Sequence, residues 1–260
     1  MSETDDRARR EAGQYDSGML SRDAYDAILS RAADGPARLR LDQAIASVVA
    51  PCAEKKILEI GSQGWTSVFI KNKLMPRDLT CINISERELQ AGMLVGRKLG
   101  IGIHFRQMDA HRLEFFDHTY DLVYGLAILH HLDLDHALKE IWRVLSPGGQ
   151  MLFWEPLRLN PIARLVRLLT PHARTIDERP LGREEFEIVR QYFDVECEFF
   201  ELFHVVAAVV SKPIFENPVN PMTLAADATD RAILRIMPFA GPYYRSVLLK
   251  GRRRESFRTH

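Results

Sequence analysis

His130 and His131 stand side by side in LHHLD, and Glu155 precedes a proline in FWEP. A neutral imidazole suits proton abstraction near neutral pH, so either histidine could serve as a general base. Ordinary packing or hydrogen bonding explains such a pair as readily. Glu155 ends an apolar run and reads equally as a substrate contact or a structural cap. Adjacent residues point in different directions and no third ligand repeats at metal spacing, so a metal centre is not expected. The three cysteines, Cys52, Cys81 and Cys197, are scattered and show neither a disulfide framework nor a zinc pattern. They argue for a reducing compartment. The catalytic candidates are His130, His131 and Glu155, with no metal.

A second group of residues lies where apolar runs end. ILEIGSQG places Glu59, Gly61, Ser62, Gln63 and Gly64 at the passage from a strand to a helix. A glycine turn there lets backbone N–H groups approach an anionic or carboxylate-bearing ligand, although a plain tight turn needs the same residues. Neither the G-x-G-x-x-G fingerprint nor the P-loop pattern is met, which disfavours dinucleotides and ATP. Asn83 follows roughly 20 residues later, where nucleotide-binding folds place a ribose-binding acid. Its amide can accept from one hydroxyl and donate to the other, without charge. Asp109, in QMDAH, suits a purine amino group, because a carboxylate only accepts. Gly125 and Ala127 are small enough for a flat ligand to pass close to the backbone.

These residues need a scaffold that brings strand ends together. Short apolar runs at Lys56–Ile60, Leu79–Ile84, Ile103–Met108, Leu122–Tyr124 and Gln150–Trp154 read as buried parallel strands. Helical patterns alternate with them. SERELQAGMLVGRKLG opens with Ser85 and Glu88 in capping-box spacing and closes at Gly100. DHALKEIWRVLSPGG carries Leu138, Ile141 and Leu145 on one face and stops at Pro147. Such alternation predicts an α/β, doubly wound, Rossmann-like sheet whose ligands bind beyond the carboxyl ends of the strands. VECEFFELF reads as a further strand, and YYRSVLLKGRR as a last, antiparallel one.

Three regions fall outside this rhythm. Residues 1–50 read as an N-terminal arm and helices, and the apolar stretches within 205–242 as an inserted cap. Residues 157–182 read as a second cap element, with Ile162, Leu165 and Leu169 along one helical stripe and Arg164, Arg167 and Arg174 beside it. The core is then 51–204 and 243–253. The chain has 260 residues and a formal net charge of zero, which disfavours a nucleic-acid partner. The basic end, KGRRRESFRTH, reads as a solvated tail. With no secretory leader and no apolar run approaching the roughly 20 residues of a membrane span, a cytoplasmic location is expected.

In combination, ILEIGSQG, CINIS, QMDAHRLEF and YDLVYGLAILHHLDLDHALKEIWRVLSPGGQMLFWEP resemble the class I S-adenosylmethionine-dependent methyltransferases. The resemblance is to the small-molecule branch that includes ubiquinone and menaquinone biosynthesis. It implies a mostly parallel, seven-stranded sheet with an antiparallel last strand, and S-adenosyl-L-methionine as cofactor, leaving as S-adenosyl-L-homocysteine. Glu59, Gly61, Ser62, Gln63 and Gly64 would hold its methionine part, and Asn83 its ribose. Ile84, Asp109 and Ala110 would meet the adenine, and Gly125, Leu126 and Ala127 the methionine end. Gln63 and Trp65 stand where that family usually has glycine, and Asn83 where it has an acid. Trp65 should therefore point away from the cofactor, into the interface between sheet and helix.

The implied activity is methyl transfer to a small or medium-sized, partly apolar acceptor, with O-methylation favoured. A lipid-linked, polyketide-like or carrier-bound acceptor would fit, with peripheral membrane contact as an option. Binding of the cofactor without transfer, or a cyclisation on the same fold, are the competing readings. Tyr15 or Tyr25 would close the arm over the cofactor.

Overall fold

The computed structural model describes residues 3–17, 34–170 and 178–256. Strand β1 (Lys56–Ile60) is buried on both faces from Ile57 to Ile60, Glu59 included. It pairs in parallel with β2 (Asp78–Asn83) on one side and β4 (Tyr120–Leu126) on the other. β3 (His104–Gln107) adds beyond β2, and β5 (Leu145–Pro156) beyond β4. β7 (Ser246–Arg253) runs antiparallel to both β5 and β6 (Phe193–Phe200). The seven strands lie in the order β3-β2-β1-β4-β5-β7-β6. Chain direction across the sheet reverses between β1 and β4, and the carboxyl ends of those strands open a crevice there.

Helices cover both faces. On one, α2 (Pro36–Val49) lays Leu41, Ile45 and Val49 against Ile57, Phe69 and Tyr124. On the other, α4 (Leu134–Val144) and α6 (Arg183–Tyr192) bury Leu138, Ile141, Phe186 and Val189 over Val123 and Phe153. α3 (Glu86–Leu99) starts where the sequence predicts: Ser85 Oγ accepts the Glu88 N–H at 3.2 Å. It ends at Gly100, whose φ of 66° is the left-handed conformation glycine reaches without strain. α1 (Glu3–Ser17) crosses the top of the crevice and packs on α3.

Several expectations change. α4 ends at Val144, and β5 begins at Leu145, before the Pro147-Gly148-Gly149 turn expected to separate them; its pairing with β4 is irregular between Tyr120 and Leu122. In α5 (Pro161–Leu169), Val166 is buried, and Ile162 joins it against Val205 and Ala208. Leu165 and Leu169 of the predicted stripe face outward instead. The packing partner of α5 is α7 (His204–Ser211), so the inward face is set by a helix some forty residues away rather than by the sheet. The stretch 205–242 is mostly helical, with α8 (Pro221–Ile236) packed on α7 and α2. The basic end is no free tail up to Arg254: Arg253 Nε donates to Trp142 O at 2.8 Å, and Arg254 pairs with Asp194 at 2.6 Å. Among the described residues no helix is long and apolar enough to cross a membrane.

Candidate active site

The loop after β1 is held from below by Glu59. Register places Cys81 and Tyr124 on either side of Glu59, on the same face. The buried carboxylate accepts from the Gly64 N–H at 2.6 Å, the Trp65 N–H at 3.2 Å, the Tyr124 hydroxyl at 2.8 Å and the Cys81 thiol at 3.2 Å. Burial raises the Glu59 pKa against the pull of these bonds, and burial beside Glu59 pushes the Tyr124 phenol and the Cys81 thiol up as well. Glu59 thus clamps the loop from beneath rather than facing the crevice. Gly64 has the same supporting place, since an added Cβ would lie 3.0 Å from Glu59 Oε1 and 3.1 Å from Leu126 Cδ1.

Gly61 differs. Its φ is 121°, and a Cβ there would meet nothing within 4 Å, so glycine leaves open space in the crevice. Ser62 follows with a φ of 61° and is fully buried. Asn83 fixes the pair from the end of β2. Its Nδ2 donates to Gly61 O at 2.8 Å and to Ser62 Oγ at 3.0 Å, while its Oδ1 accepts from Ser85 N at 2.9 Å. The Gln63 amide is bonded to the Glu88 carboxylate, and both residues line the crevice. Trp65 is buried behind the loop, as its misfit with the family pattern requires, with its ring edge-on to Phe105 at 6.5 Å.

The crevice is lined from four strand ends and roofed by α1. Of the residues the sequence points to, Gly61, Gln63, Asn83, Ile84, Asp109 and Ala110 share its wall. Leu126, Ala127 and His131 continue it on the β4 side. Ala127 holds a left-handed φ of 56°, with its N–H on Trp154 O at 2.7 Å. Gly125 lies back from the wall, where a Cβ would collide with Ile128 at 2.5 Å and Phe153 at 2.8 Å. Its smallness serves packing, not the passage of a ligand.

The catalytic candidates separate in the same way. Glu155 is fully buried beneath the turn Leu129–His131, accepting from Ile128 N at 3.0 Å, Leu129 N at 2.8 Å and the His130 ring at 2.7 Å. His130 is 6% exposed and lies behind His131, the two rings 4.1 Å apart between centroids. The tight turn swings both rings to one side, contrary to the divergence expected of neighbours. Only His131 reaches the crevice wall.

Four further wall residues were not singled out by the sequence as ligand contacts. Glu88 is visible in the sequence only as a cap, yet it lines the crevice with Asn83, its carboxylate bonded to the Gln63 amide. His111 accepts the Asp133 N–H on Nε2 at 2.8 Å, so its Nδ1 carries the proton and donates to Asp109 Oδ1 at 2.6 Å. It therefore orients Asp109. Arg7 and Glu11 come from α1, where Arg7 Nε donates to His131 O at 2.9 Å. Asp16 ties the other end of α1 to the α3 start, accepting from Ser85 Oγ at 2.5 Å. The Tyr15 side chain and Tyr25 lie outside the described residues.

Residues 58–153 match the family model described as a methyltransferase domain. The chain is 26% identical over 178 residues to an O-methyltransferase of Penicillium expansum, covering 62% of this chain and 64% of that one. It is 31% identical over 157 residues to a demethylmenaquinone methyltransferase of Streptomyces griseus, covering 56% of this chain and 64% of that one. It thus spans somewhat less than two thirds of either relative. Its fold is similar to that of a geranyl diphosphate C-methyltransferase from Streptomyces coelicolor, solved with Mg2+, geranyl diphosphate and S-adenosyl-L-homocysteine. The TM-score is 0.57 at 15% identity, covering 83% of this chain and 80% of that one.

Proposed function

We propose that this chain, which carries a class I S-adenosylmethionine-dependent methyltransferase domain, transfers a methyl group to a small or medium-sized, partly apolar acceptor, through oxygen in preference to carbon or nitrogen. The observation that carries the reading is the open cradle at Gly61, where a φ of 121°, which residues with a side chain rarely adopt, coincides with the switch point of the sheet. Backbone at Gly61 and Gln63 would hold the methionine part, and Asp109, oriented by His111, the purine amino group. Leu126 and Ala127 would flank the sulfur end. Glu88 would take the ribose through the carboxylate oxygen that the Gln63 amide does not use, because the amide of Asn83 is already committed to Gly61, Ser62 and Ser85.

The cofactor supplies an electrophilic methyl on a sulfonium. The remaining task of the protein is alignment, which for well-oriented partners amounts to about 7–11 kcal/mol of barrier. α1 roofs the crevice through Arg7 and Glu11 and so keeps water from the transfer. His131 is the group placed to meet the acceptor, while His130 and Glu155 hold the turn that presents it. The apolar side chains on the crevice wall, Met108, Leu126, Ile128 and Leu132 among them, support an acceptor with a hydrocarbon portion.

Titration calorimetry with S-adenosylmethionine and S-adenosylhomocysteine tests the cofactor, and failure of both to bind sinks the reading. Mass spectrometry on a panel of phenolic, enolic and lipid-linked alcohols then tests transfer. Binding without any methylated product would leave a cofactor-binding protein in place of a transferase.

A further inference from the structure

We infer that His130, His131 and Glu178 form a binding site for one divalent transition-metal ion at the acceptor end of the crevice. One donor atom from each of the three lies within 4.8 Å of the others, and none of the three side chains is exposed. His130 Nε2 is 3.9 Å from Glu178 Oε1. Donors around one zinc-sized ion lie about 3.4 Å apart in a tetrahedron and about 4.2 Å apart when opposite, given metal–ligand bonds near 2.1 Å. The His130–Glu178 pair needs about half an ångström of closure to reach the tetrahedral spacing, and the widest pair of the cluster up to about 1.4 Å.

A further relationship separates this cluster from a chance grouping. Glu155 accepts at 2.7 Å from His130 Nδ1, so in the neutral ring the lone pair lies on Nε2, the nitrogen 3.9 Å from Glu178 Oε1. Carboxylate, imidazole and vacant ring nitrogen in that order are the arrangement that orients metal-ligating histidines. Glu155 is itself fixed by backbone N–H groups of the same turn, so the lone pair has one direction. On the far side, Glu11 of α1 brings a carboxylate oxygen to 3.4 Å from His131 Nδ1. Two imidazoles with one or two carboxylates suit a borderline cation such as Zn2+ or Co2+, with the harder Mn2+ bound more weakly.

Its use follows from its place, and that use rests on the methyl-transfer reading. His131 stands on the crevice wall beside Ala127 and Ile128. An ion there would hold an acceptor hydroxyl, phenol or enol by its oxygen and lower that oxygen's pKa, so that it is the alkoxide or enolate that takes the methyl. With the ion bound His131 acts as a ligand, and the proton leaves from the ion-bound oxygen to solvent. An ion that also took Glu11 would tether α1 across the crevice.

The test uses untagged, EDTA-treated protein titrated with ZnCl2, MnCl2 and CoCl2 alone, with S-adenosylhomocysteine affinity as an independent control of fold. The expected result is one ion per chain and visible Co2+ absorption bands from imidazole coordination. Glu178→Gln and His131→Ala should lose the bands and weaken binding more than tenfold. Glu155→Gln should weaken it roughly 10–100-fold, the range for groups that orient a ligand. Absence of ion binding in wild type, or binding that Glu178→Gln and His131→Ala leave unchanged, overturns the inference. Ion binding without S-adenosylhomocysteine binding upholds the site and counts against methyl transfer instead.

Discussion

The side-chain amide of Asn83 donates to the carbonyl of Gly61 at 2.8 Å, which fixes the residue whose backbone opens the crevice. The second proton of that amide goes to Ser62 Oγ at 3.0 Å. An aspartate in its place would lack both donors and turn an oxygen toward the Gly61 carbonyl. Asn83→Asp should therefore weaken S-adenosylhomocysteine binding about tenfold in calorimetry, from a loss of roughly 1.5 kcal/mol, although an acid is the usual residue there in similar proteins. A gain in affinity would show that position 83 reaches the ribose.

The ribose then falls to Glu88, on the crevice wall one turn into α3. Hydrogen bonds to a charged acceptor contribute about 1.5–3 kcal/mol against about 1 for neutral pairs, so Glu88→Gln should cost roughly 3–30-fold in affinity. The 2′-deoxy analogue of S-adenosylhomocysteine should bind wild type more weakly and lose little more in the variant. Equal losses for the two ligands in the variant would remove Glu88 from the ribose.

Gly61 has a φ of 121°, with nothing within 4 Å of where a Cβ would sit. Gly61→Ala should lower stability by about 1–3 kcal/mol through backbone strain, read as a shift in the urea midpoint. The methyl group would also occupy the crevice, so cofactor affinity should fall below detection while the protein stays folded. Retained affinity would mean that the loop does not carry the ligand.

His111 acts on the other end of the crevice through Asp109, at 2.6 Å. His111→Ala should reduce the affinity for S-adenosylhomocysteine and for 5′-methylthioadenosine by the same factor, about 3–10-fold, because both carry the purine. A loss confined to the larger ligand would place His111 at the amino-acid end.

His204 begins α7, fully buried, and among the described residues neither ring nitrogen has a hydrogen-bond partner. Burial pulls its pKa below the ordinary value; Glu201, Asp227 and Asp230 oppose this, and Arg245 adds to it. The unfolded chain therefore takes up the proton first, at about pH 6.5, and the folded chain only at lower pH. The stability gained by keeping the ring neutral is present above about pH 6.5 and is lost as pH falls through the folded value. The urea midpoint should drop between about pH 7 and 5 in wild type, and drop less in His204→Leu. Equal drops would shift the effect to other groups.

The succession of strands and helices along the chain, the opening of a crevice at the strand ends and the glycine loop after β1 were legible in the sequence because each depends on short-range signals; the order of strands across the sheet was not. Apolar runs fix β1 to β5, Ser85 and Gly100 bound α3, and Gly61 needs only its own backbone. What the residues around those signals do was decided by partners distant in the chain. Asn83 turns to the β1 loop; Glu59, Gly64 and Gly125 support from beneath; Leu165 and Leu169 face outward because α5 packs on α7. The same holds for Glu178, which no spacing connects to His130 and His131 until the chain returns past the end of β5. A side chain has several polar or apolar partners it could satisfy, and only the folded backbone brings one of them within about 3 Å.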